Sequence, residues 1–591
     1  MFRQLSTIVL LVFGLALATI STAQEVLPHG LAPHEGGLIP AYRDTYLRNR
    51  GGSVPPQFPV RTMAEWEEVE SVVIAWAGYP GILKQIVRYA LDECRVIIAC
   101  EDQAEVQNYL GNAEYGGPIA DLSGVTYVVA DINSIWSRDY FAETIYSNEV
   151  DSIFLLDWIY NRPRPADDVL SNVIGAAEDI VVYGTTQAPN DLVHTGGNFM
   201  CDGAGTAFSS ALVLDENGAG GSFNLTVRDQ VGVDSVMQRY MGIDRYIIMP
   251  TLPYDGIHHI DMHMKLLDEE TMLVGEFPIG ESDGPQLEQN VATVINEEVS
   301  VFGDPYRLVR IPMPSSAGGA YPPNASYRTY ANNVFLNRTV LVPTYRTEYD
   351  TIGLRILEEQ LPGYRIVGID CDSEQNIISA SGAIHCITKA IGVQDPLLIR
   401  HQRLRDTDNT SDPYTVEAYI RHRSGIANAW LYWATSPSGP FVEVPMTDTG
   451  AAIWSAFIPA QPAGTTVHYY IRAVAASGKE QMRPMVAPEG AWHFRVLDLS
   501  MGNQALTTDP ITEVYPNPAS TITCIQVAVH AVAEARIELI DAVGRQVMLV
   551  SDGRIPADGR YFVDLTRLPA GPYQVVVTTS QGRAVARLLH H

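Results

Sequence analysis

Four short segments of the 591-residue chain carry residue types suited to nucleophilic and acid–base chemistry. They are Trp136-Ser137-Arg138-Asp139-Tyr140, His258-His259-Ile260-Asp261-Met262-His263, Thr329-Tyr330-Ala331-Asn332-Asn333 and Gly382-Ala383-Ile384-His385-Cys386-Ile387-Thr388. Cys386 is the candidate nucleophile. A thiol attacks as thiolate, and a nearby imidazole supplies both a base and a stabilising positive charge. His385 is adjacent, but neighbours on a strand face opposite ways, so His259 is the better partner. His259 and Asp261 lie two apart and on a strand would share one face. Plainer readings stand beside these: a buried structural cysteine at Cys386, and at Asp139 a surface charge or local pair with Arg138. A metal site built from His258, His259, Asp261 and His263 is a further alternative, weakened because residues 258 and 259 would point apart.

Two carboxylates and a thiol suit one electrophile in particular. A guanidinium is planar, permanently charged and offers a fork of N–H donors, which carboxylates bind bidentately. Held that way, its carbon is presented to a nucleophile.

Elements that would position these segments recur along the chain. Five times a helix-like stretch is followed by a short break and a buried strand: ILKQIVRYALDECRVIIAC, LSNVIGAAEDIVVYG, DSVMQRYMGIDRYIIMP, VATVINEEVSVFGDPYRLVRIPM and LRILEEQLPGYRIVGIDC. Hairpin-like runs such as 271–275 and 333–343 lie between them. The pattern predicts an α/β fold, a ring of five ββαβ-type blades with its loops gathered on one axis, with a doubly wound sheet as the alternative.

The remainder of the chain divides around that unit. Arg3, the apolar run from Ile8 to Ala18 and Ser21-Thr22-Ala23 read as a signal peptide over 1–23, too short to span a bilayer. A leader or pro-segment covers 24–55, and the catalytic unit 56–393. Short alternating strands over 394–500 predict an immunoglobulin-like β-sandwich. A linker, 501 to 510, opens a small all-β domain over 501–591. The net charge of −29 argues against nucleic acid and anionic membrane as partners. Six cysteines without a CxxC pair indicate neither a zinc site nor a disulfide framework, although their even number permits one or two bridges.

These motifs resemble the guanidine-modifying superfamily, and within it the bacterial peptidylarginine deiminases of the Porphyromonas type. The resemblance runs from about Met63 to Ile391. It rests on Ala64-Glu65-Trp66-Glu67, Trp136-x-Arg138-Asp139, His194-Thr195-Gly196-Gly197-Asn198-Phe199-Met200, His259-Ile260-Asp261 and Ile384-His385-Cys386-Ile387-Thr388, all in order. It implies a five-bladed α/β propeller in which Cys386 attacks the guanidinium carbon while Asp139 and Asp261 bind its nitrogens. His259 would protonate departing ammonia and then activate water, so that a thiouronium on Cys386 is hydrolysed to citrulline. Asn332 looks like the family's active-site asparagine, and Trp136 like the wall against the substrate's aliphatic stem. Agmatine deiminases share the core motifs. Tyr160-Asn161-Arg162-Pro163-Arg164-Pro165 resembles the segment that binds the carboxylate of a C-terminal arginine, which agmatine lacks. The expected partners are therefore arginine-containing peptides or proteins.

Val514-Tyr515-Pro516-Asn517-Pro518, Gly544-Arg545, Leu568-Pro569-Ala570-Gly571-Pro572-Tyr573 and Arg587-Leu588-Leu589 resemble a type IX secretion sorting domain of Bacteroidetes. This implies the secretion machinery as a partner and a secreted or surface location. The proposed chemistry needs no cofactor or metal; a structural cation stays open. Two rivals remain: a papain-like peptidase, in which cysteine would come first and start a helix, and a surface adhesin with a decayed catalytic domain.

Overall fold

The computed structural model describes residues 26–46, 54–497, 511–528, 533–556, 558–579 and 582–591. The signal-peptide segment 1–23 and the linker 501–510 lie outside the described residues.

Between Val60 and Gly392 the chain builds five sheets, each containing an antiparallel pair followed through a helix by a parallel strand. In the first, Val69–Ala75 pairs antiparallel with Lys389–Gly392 from the far end of the unit, then parallel with Arg95–Cys100 across helix Pro80–Ala90. Val125–Val129 extends this sheet. Glu143–Ser147 and Ile153–Tyr160 form the second pair, and helix Leu170–Ala177 leads to Val182–Thr185. The third joins Met200–Cys201 to Thr206–Ser210, then Gln230–Met241 to Arg245–Met249. Met264–Leu266 with Thr271–Glu276, helix Gly284–Glu297 and strand Arg307–Pro312 make the fourth. The fifth is Val334–Leu336 with Thr339–Thr344, then Thr347–Gln360 and Arg365–Asp370. Every helix–strand unit read from the sequence is present.

Local chemistry explains the breaks. The Asp229 side chain accepts the Gly232 N–H at the start of one helix, and Gly242 ends it at a φ of 67°, which glycine adopts without a Cβ penalty. The central parallel strands are apolar on both faces because helices and neighbouring sheets cover both: Val72, Val73, Ile74, Val96, Ile97 and Ile98 are all wholly buried.

Regular structure begins within the expected leader. Residues 35–41 form short helical turns, and Ile39 and Tyr42 pack against Ile159, Val193, Phe223 and Leu225. Residues 26–46 of the leader are thus packed on the unit that follows, held there by apolar burial of Ile39 and Tyr42.

Downstream, two antiparallel sheets share one core that includes Val416, Leu431, Ile458, Val467, Ile471 and Phe494. Tyr414–Arg421 alternates buried and exposed positions, as a strand with one face on a core must. The last unit pairs Ile511–Tyr515, Ile522–Ala528 and Asp558–Asp564 in one sheet and Gln546–Ile555, Ala533–Asp541, Gly571–Thr579 and Gly582–His590 in another. All six cysteines are unbridged.

Candidate active site

Each of the five sheets is entered through a turn, and the candidate residues sit in these turns. One-turn helix Ser137–Tyr140 precedes Glu143–Ser147, and 3-10 turn Gly196–Asn198 precedes Met200–Cys201. Ile260–Met262 precedes Met264–Leu266, Asn332 stands just before Val334–Leu336, and His385–Ile387 precedes Lys389–Gly392. Hydrogen bonds link these turns in a circuit. Gly197 N donates to Asp139 Oδ1 at 3.3 Å, and Thr195 Oγ1 meets His259 Nε2 at 3.0 Å. Asn332 Nδ2 reaches the Asp261 carbonyl at 3.5 Å, His385 N donates to Asn332 Oδ1 at 3.0 Å, and Arg138 Nε returns to the His385 carbonyl at 3.2 Å.

Cys386, His259, Asp139, Asp261 and Asn332 all meet here. Cys386 Sγ lies 3.2 Å from Asn332 Nδ2 and 3.8 Å from Asp261 Oδ2. His259 Nδ1 faces Asp139 Oδ1 at 3.6 Å. A Cβ built on Gly197 would lie 2.5 Å from His259 Nδ1, 3.0 Å from Asp139 Oδ1 and 3.3 Å from Asp261 Oδ2, so three functional atoms converge on the point the missing side chain leaves open. Cys386 and His259 are wholly buried. His259 Nδ1 and Asp261 Oδ1 are buried without a hydrogen-bond partner, polar sockets of the kind a bound ligand would fill.

The local geometry differs from expectation at both segments. His259 and Asp261 were expected to share a strand face, yet His259 is the residue before a 3-10 turn that contains Asp261. Cys386 is likewise in a turn, so strand alternation does not govern His385. That residue bridges two carboxylates, Nδ1 to Asp261 Oδ2 at 2.7 Å and Nε2 to Glu65 Oε1 at 2.6 Å. The four residues of the alternative metal site do not gather; among the described residues, the group whose potential ligand atoms come together is His29, Asp139 and His259.

Electrostatics follow from burial and close charges. Burial pushes the Cys386 thiol well up, and Asp261 and Asp139 add to the effect, so the resting site holds a thiol. Burial lowers His259 to about 4 against the pull of Asp139, leaving a neutral imidazole. Asp261 is held below the usual carboxylate range: burial opposes this, but His385 and His259 prevail. Glu65 behaves similarly, its burial outweighed by His385, Lys265 and Arg138.

Trp136, Arg162 and Arg164 border the same pocket and are occupied by the leader. Trp136 is wholly buried, its ring stacked on His29 at 4.3 Å and 17°, its Nε1 donating to the Leu27 carbonyl at 3.0 Å. The two arginines are 8% and 1% exposed, which excludes a solvent-facing turn. They differ in task. Arg164 grips the Glu35 carboxylate through Nε at 2.8 Å and an Nη at 3.0 Å, whereas Arg162 donates to the carbonyls of His29 and Asn161. Arg164 thus holds a carboxylate through two nitrogens, whereas Arg162 bonds main-chain carbonyls with the Glu216 carboxylate 3.9 Å away.

Glu65, Thr195, Gly197 and His29 were given no role by the sequence. The first three lie inside the quoted motifs, where presence in a motif was the signal; nothing marked His29 beyond its type.

Residues 61–391, more than half of the chain, match the model of the Porphyromonas-type peptidyl-arginine deiminase family. The chain belongs to that family. This makes the protein a deiminase-family enzyme acting on guanidino C–N bonds. A relative from Shewanella frigidimarina, named "Putative agmatine deiminase", is 24% identical over 57% of this chain and 95% of its own. The agmatine deiminase of Enterococcus faecalis is similar in structure, at 18% identity, 58% of this chain, 100% of that one and a TM-score of 0.49. A Porphyromonas gingivalis arginine deiminase structure, described as putative, gives 21%, 56%, 98% and 0.48 in the same order. Residues 513–590 match the secretion system C-terminal sorting domain, which assigns this deiminase to the secreted or cell-surface proteins exported by the type IX machinery. No helix among the described residues is long and apolar enough to cross a membrane.

Proposed function

We propose that this deiminase hydrolyses the guanidinium of peptidyl arginine, with preference for a C-terminal arginine, to citrulline and ammonia. The observation that carries the reading is the convergence of Asp139, Asp261 and His259 on one point beside Cys386. A guanidinium seated there bonds both carboxylates and brings a positive charge next to the thiol. That charge offsets the two carboxylates that hold the thiol protonated, and the thiol proton passes to His259. Cys386 Sγ bonds to the guanidinium carbon, and a terminal C–N bond breaks as His259 protonates the leaving ammonia. His259 then takes a proton from water, whose oxygen attacks the same carbon. The C–S bond breaks and a ureido product leaves. Asn332, donating to Sγ, orients the sulfur, and Trp136 walls the stem. The steps draw on thiol, imidazole and carboxylates and call on no cofactor.

For the substrate's far end, the support is Arg164, whose bidentate hold on the Glu35 carboxylate is the contact a terminal carboxylate would make. Agmatine has no such group. On the same footing we read the five sheets as blades of a five-bladed propeller, because the turn-to-turn hydrogen bonds run through all five and return to the first. The two-sheet unit that follows is read as immunoglobulin-like.

Ammonia release, the product common to all these substrates, decides the matter. A peptide ending in arginine should be turned over faster than its amide, free arginine or agmatine, and Cys386→Ala should abolish all turnover. Faster turnover of agmatine would replace the substrate reading, and equal release by wild type and Cys386→Ala would end the deiminase reading.

A further inference from the structure

The residue closest to the expected place of a substrate cation is the chain's own His29. Its Nε2 is 2.6 Å from Asp139 Oδ2, its ring stacks on Trp136, and it meets His259 edge-on at 5.0 Å. It is completely buried. The backbone around it is held as a bound peptide would be. His29 N donates to the Ala380 carbonyl at 3.1 Å, and Nδ1 is 2.8 Å from the Ser381 carbonyl. Arg164 donates to the carbonyls of Pro28 at 2.8 Å and Gly30 at 3.1 Å, and Arg162 to that of His29 at 3.4 Å. Glu35 then fills the Arg164 fork.

We propose that residues 26–46 are a tethered pseudosubstrate, with His29 in the guanidinium pocket and Glu35 in the carboxylate clamp, and that the enzyme is latent until this segment is released. The proposal rests on the deiminase reading of the same site.

The chemistry of the side chain suits the role. A protonated imidazole is a planar cation whose N–C–N unit is an amidinium, so it satisfies Asp139 and stacks on Trp136 as a guanidinium would. Its ring offers Cys386 no leaving amine, so the occupant is not consumed. Burial disfavours its charge, but Asp139 outweighs burial and raises His29 above the ordinary imidazole range. That charge in turn helps keep His259 neutral. The leader therefore fills the pocket and takes up the clamp. Ile39 and Tyr42 anchor it in an apolar patch away from the chemistry. Between the leader and the first strand, Arg48 and Arg50 give the chain two points at which a protease specific for basic residues could cut.

The test uses the full chain with a site for a sequence-specific protease inserted between Gly51 and Gly52. Alkylation of Cys386 by iodoacetamide, located by peptide mass, and citrulline release are followed before and after cutting and removal of the leader. Uncut His29→Ala is measured in parallel, in case removal of the whole leader destabilises the domain. Both readouts should rise roughly tenfold or more after cutting and in His29→Ala, since a site open only a small fraction of the time loses apparent affinity by that fraction. A synthetic 26–46 peptide should then compete with arginyl peptide, and the same peptide carrying His29→Ala should not. Faster alkylation without citrulline release would uphold the gating and sink the deiminase reading. Equal rates in uncut, cut and His29→Ala protein would overturn the proposal.

Discussion

His385 gives its two ring nitrogens to two carboxylates, Nδ1 to Asp261 at 2.7 Å and Nε2 to Glu65 at 2.6 Å. His385 thus fixes Asp261 Oδ2, the oxygen that lies 3.8 Å from Cys386 Sγ, while Asp261 Oδ1 is buried without a hydrogen-bond partner. Glu65 is itself paired with Lys265 and lies 3.3 Å from Arg138, so the chain of charges ends in a fixed cluster. Glu65 and His385 are positioning residues on this account.

Glu65→Gln should lower kcat by about 10²-fold, the usual cost of a small misplacement of a catalytic group, while KM changes little. Steady-state kinetics on an arginyl peptide checks this. An unchanged kcat with a lower melting temperature would make Glu65 purely structural.

Asp261→Asn and Asp139→Asn should separate two quantities that usually move together. A charge-assisted hydrogen bond is worth about 1.5–3 kcal/mol, so each variant should lose at least tenfold in kcat/KM. The Cys386 thiol, raised by burial and then by Asp261 and Asp139, should fall toward its ordinary range when either charge is removed. The pH midpoint of Cys386 alkylation, measured with the leader removed, should therefore move down, further for Asp261→Asn. A midpoint that stays put would show that the carboxylates do not act on the sulfur.

Asp255 supplies a stability test. Burial raises its carboxyl to about 7, against hydrogen bonds from the Ile257 and His258 backbones, and its Oδ2 is buried without a partner. A folded pKa above the unfolded value of about 4 means the native state binds the extra proton. Its contribution is full below pH 4 and is lost as pH rises through about 7. Asp255→Asn should melt at increasingly higher temperature than wild type between pH 5 and 8, each pKa unit being worth about 1.4 kcal/mol. Parallel melting curves across that range would refute the assignment.

The parts of this architecture that were legible from sequence are those with period and pattern. The helix–strand units announced themselves because a helix with one apolar face, a break and a β-branched run is a local signal. Asp139, His259, Asp261, Asn332 and Cys386 were found by residue type within motifs. What stayed hidden was set by tertiary geometry. Whether His385 faces the thiol depends on a 3-10 turn that strand alternation does not describe. Arg162 and Arg164 read as equal partners because they are two apart in sequence, and only their surroundings separate a carboxylate clamp from a main-chain donor. His29 lies more than a hundred residues from Asp139, in a stretch rich in Pro and Gly with no periodicity to place it.

Arg164→Ala should raise KM for a peptide ending in arginine by roughly tenfold or more, the worth of a bidentate charged contact, and leave KM for the peptide amide unchanged. The comparison is made with the leader removed, because Glu35 otherwise occupies the fork. Arg162→Ala, which removes a donor to main chain, should weaken acid and amide alike. Equal losses for both peptides with Arg164→Ala would remove the preference for a terminal carboxylate.

Two adjacent glycines should respond differently to the same methyl group. A Cβ at Gly196 would lie 2.0 Å from the Arg138 carbonyl oxygen, a backbone atom of a neighbouring turn. Gly196→Ala should therefore force the turns apart and cost several kcal/mol of stability, on the order of the worst overpacked cores. A Cβ at Gly197 meets side chains instead, His259 Nδ1 at 2.5 Å and the Asp139 and Asp261 carboxylates. His259 is tethered by Thr195 through its other nitrogen, so its ring must tilt out of place to make room. Gly197→Ala should fold, with a loss of about 1–3 kcal/mol, yet lose about 10²-fold or more in kcat through the displaced acid and the filled pocket. Gly256→Ala, where nothing lies within 4 Å of the new Cβ, serves as the control. Thermal melts and kcat on the three variants separate the outcomes, and a fully active Gly197→Ala would mean that the point where three functional atoms converge is not where the substrate carbon sits.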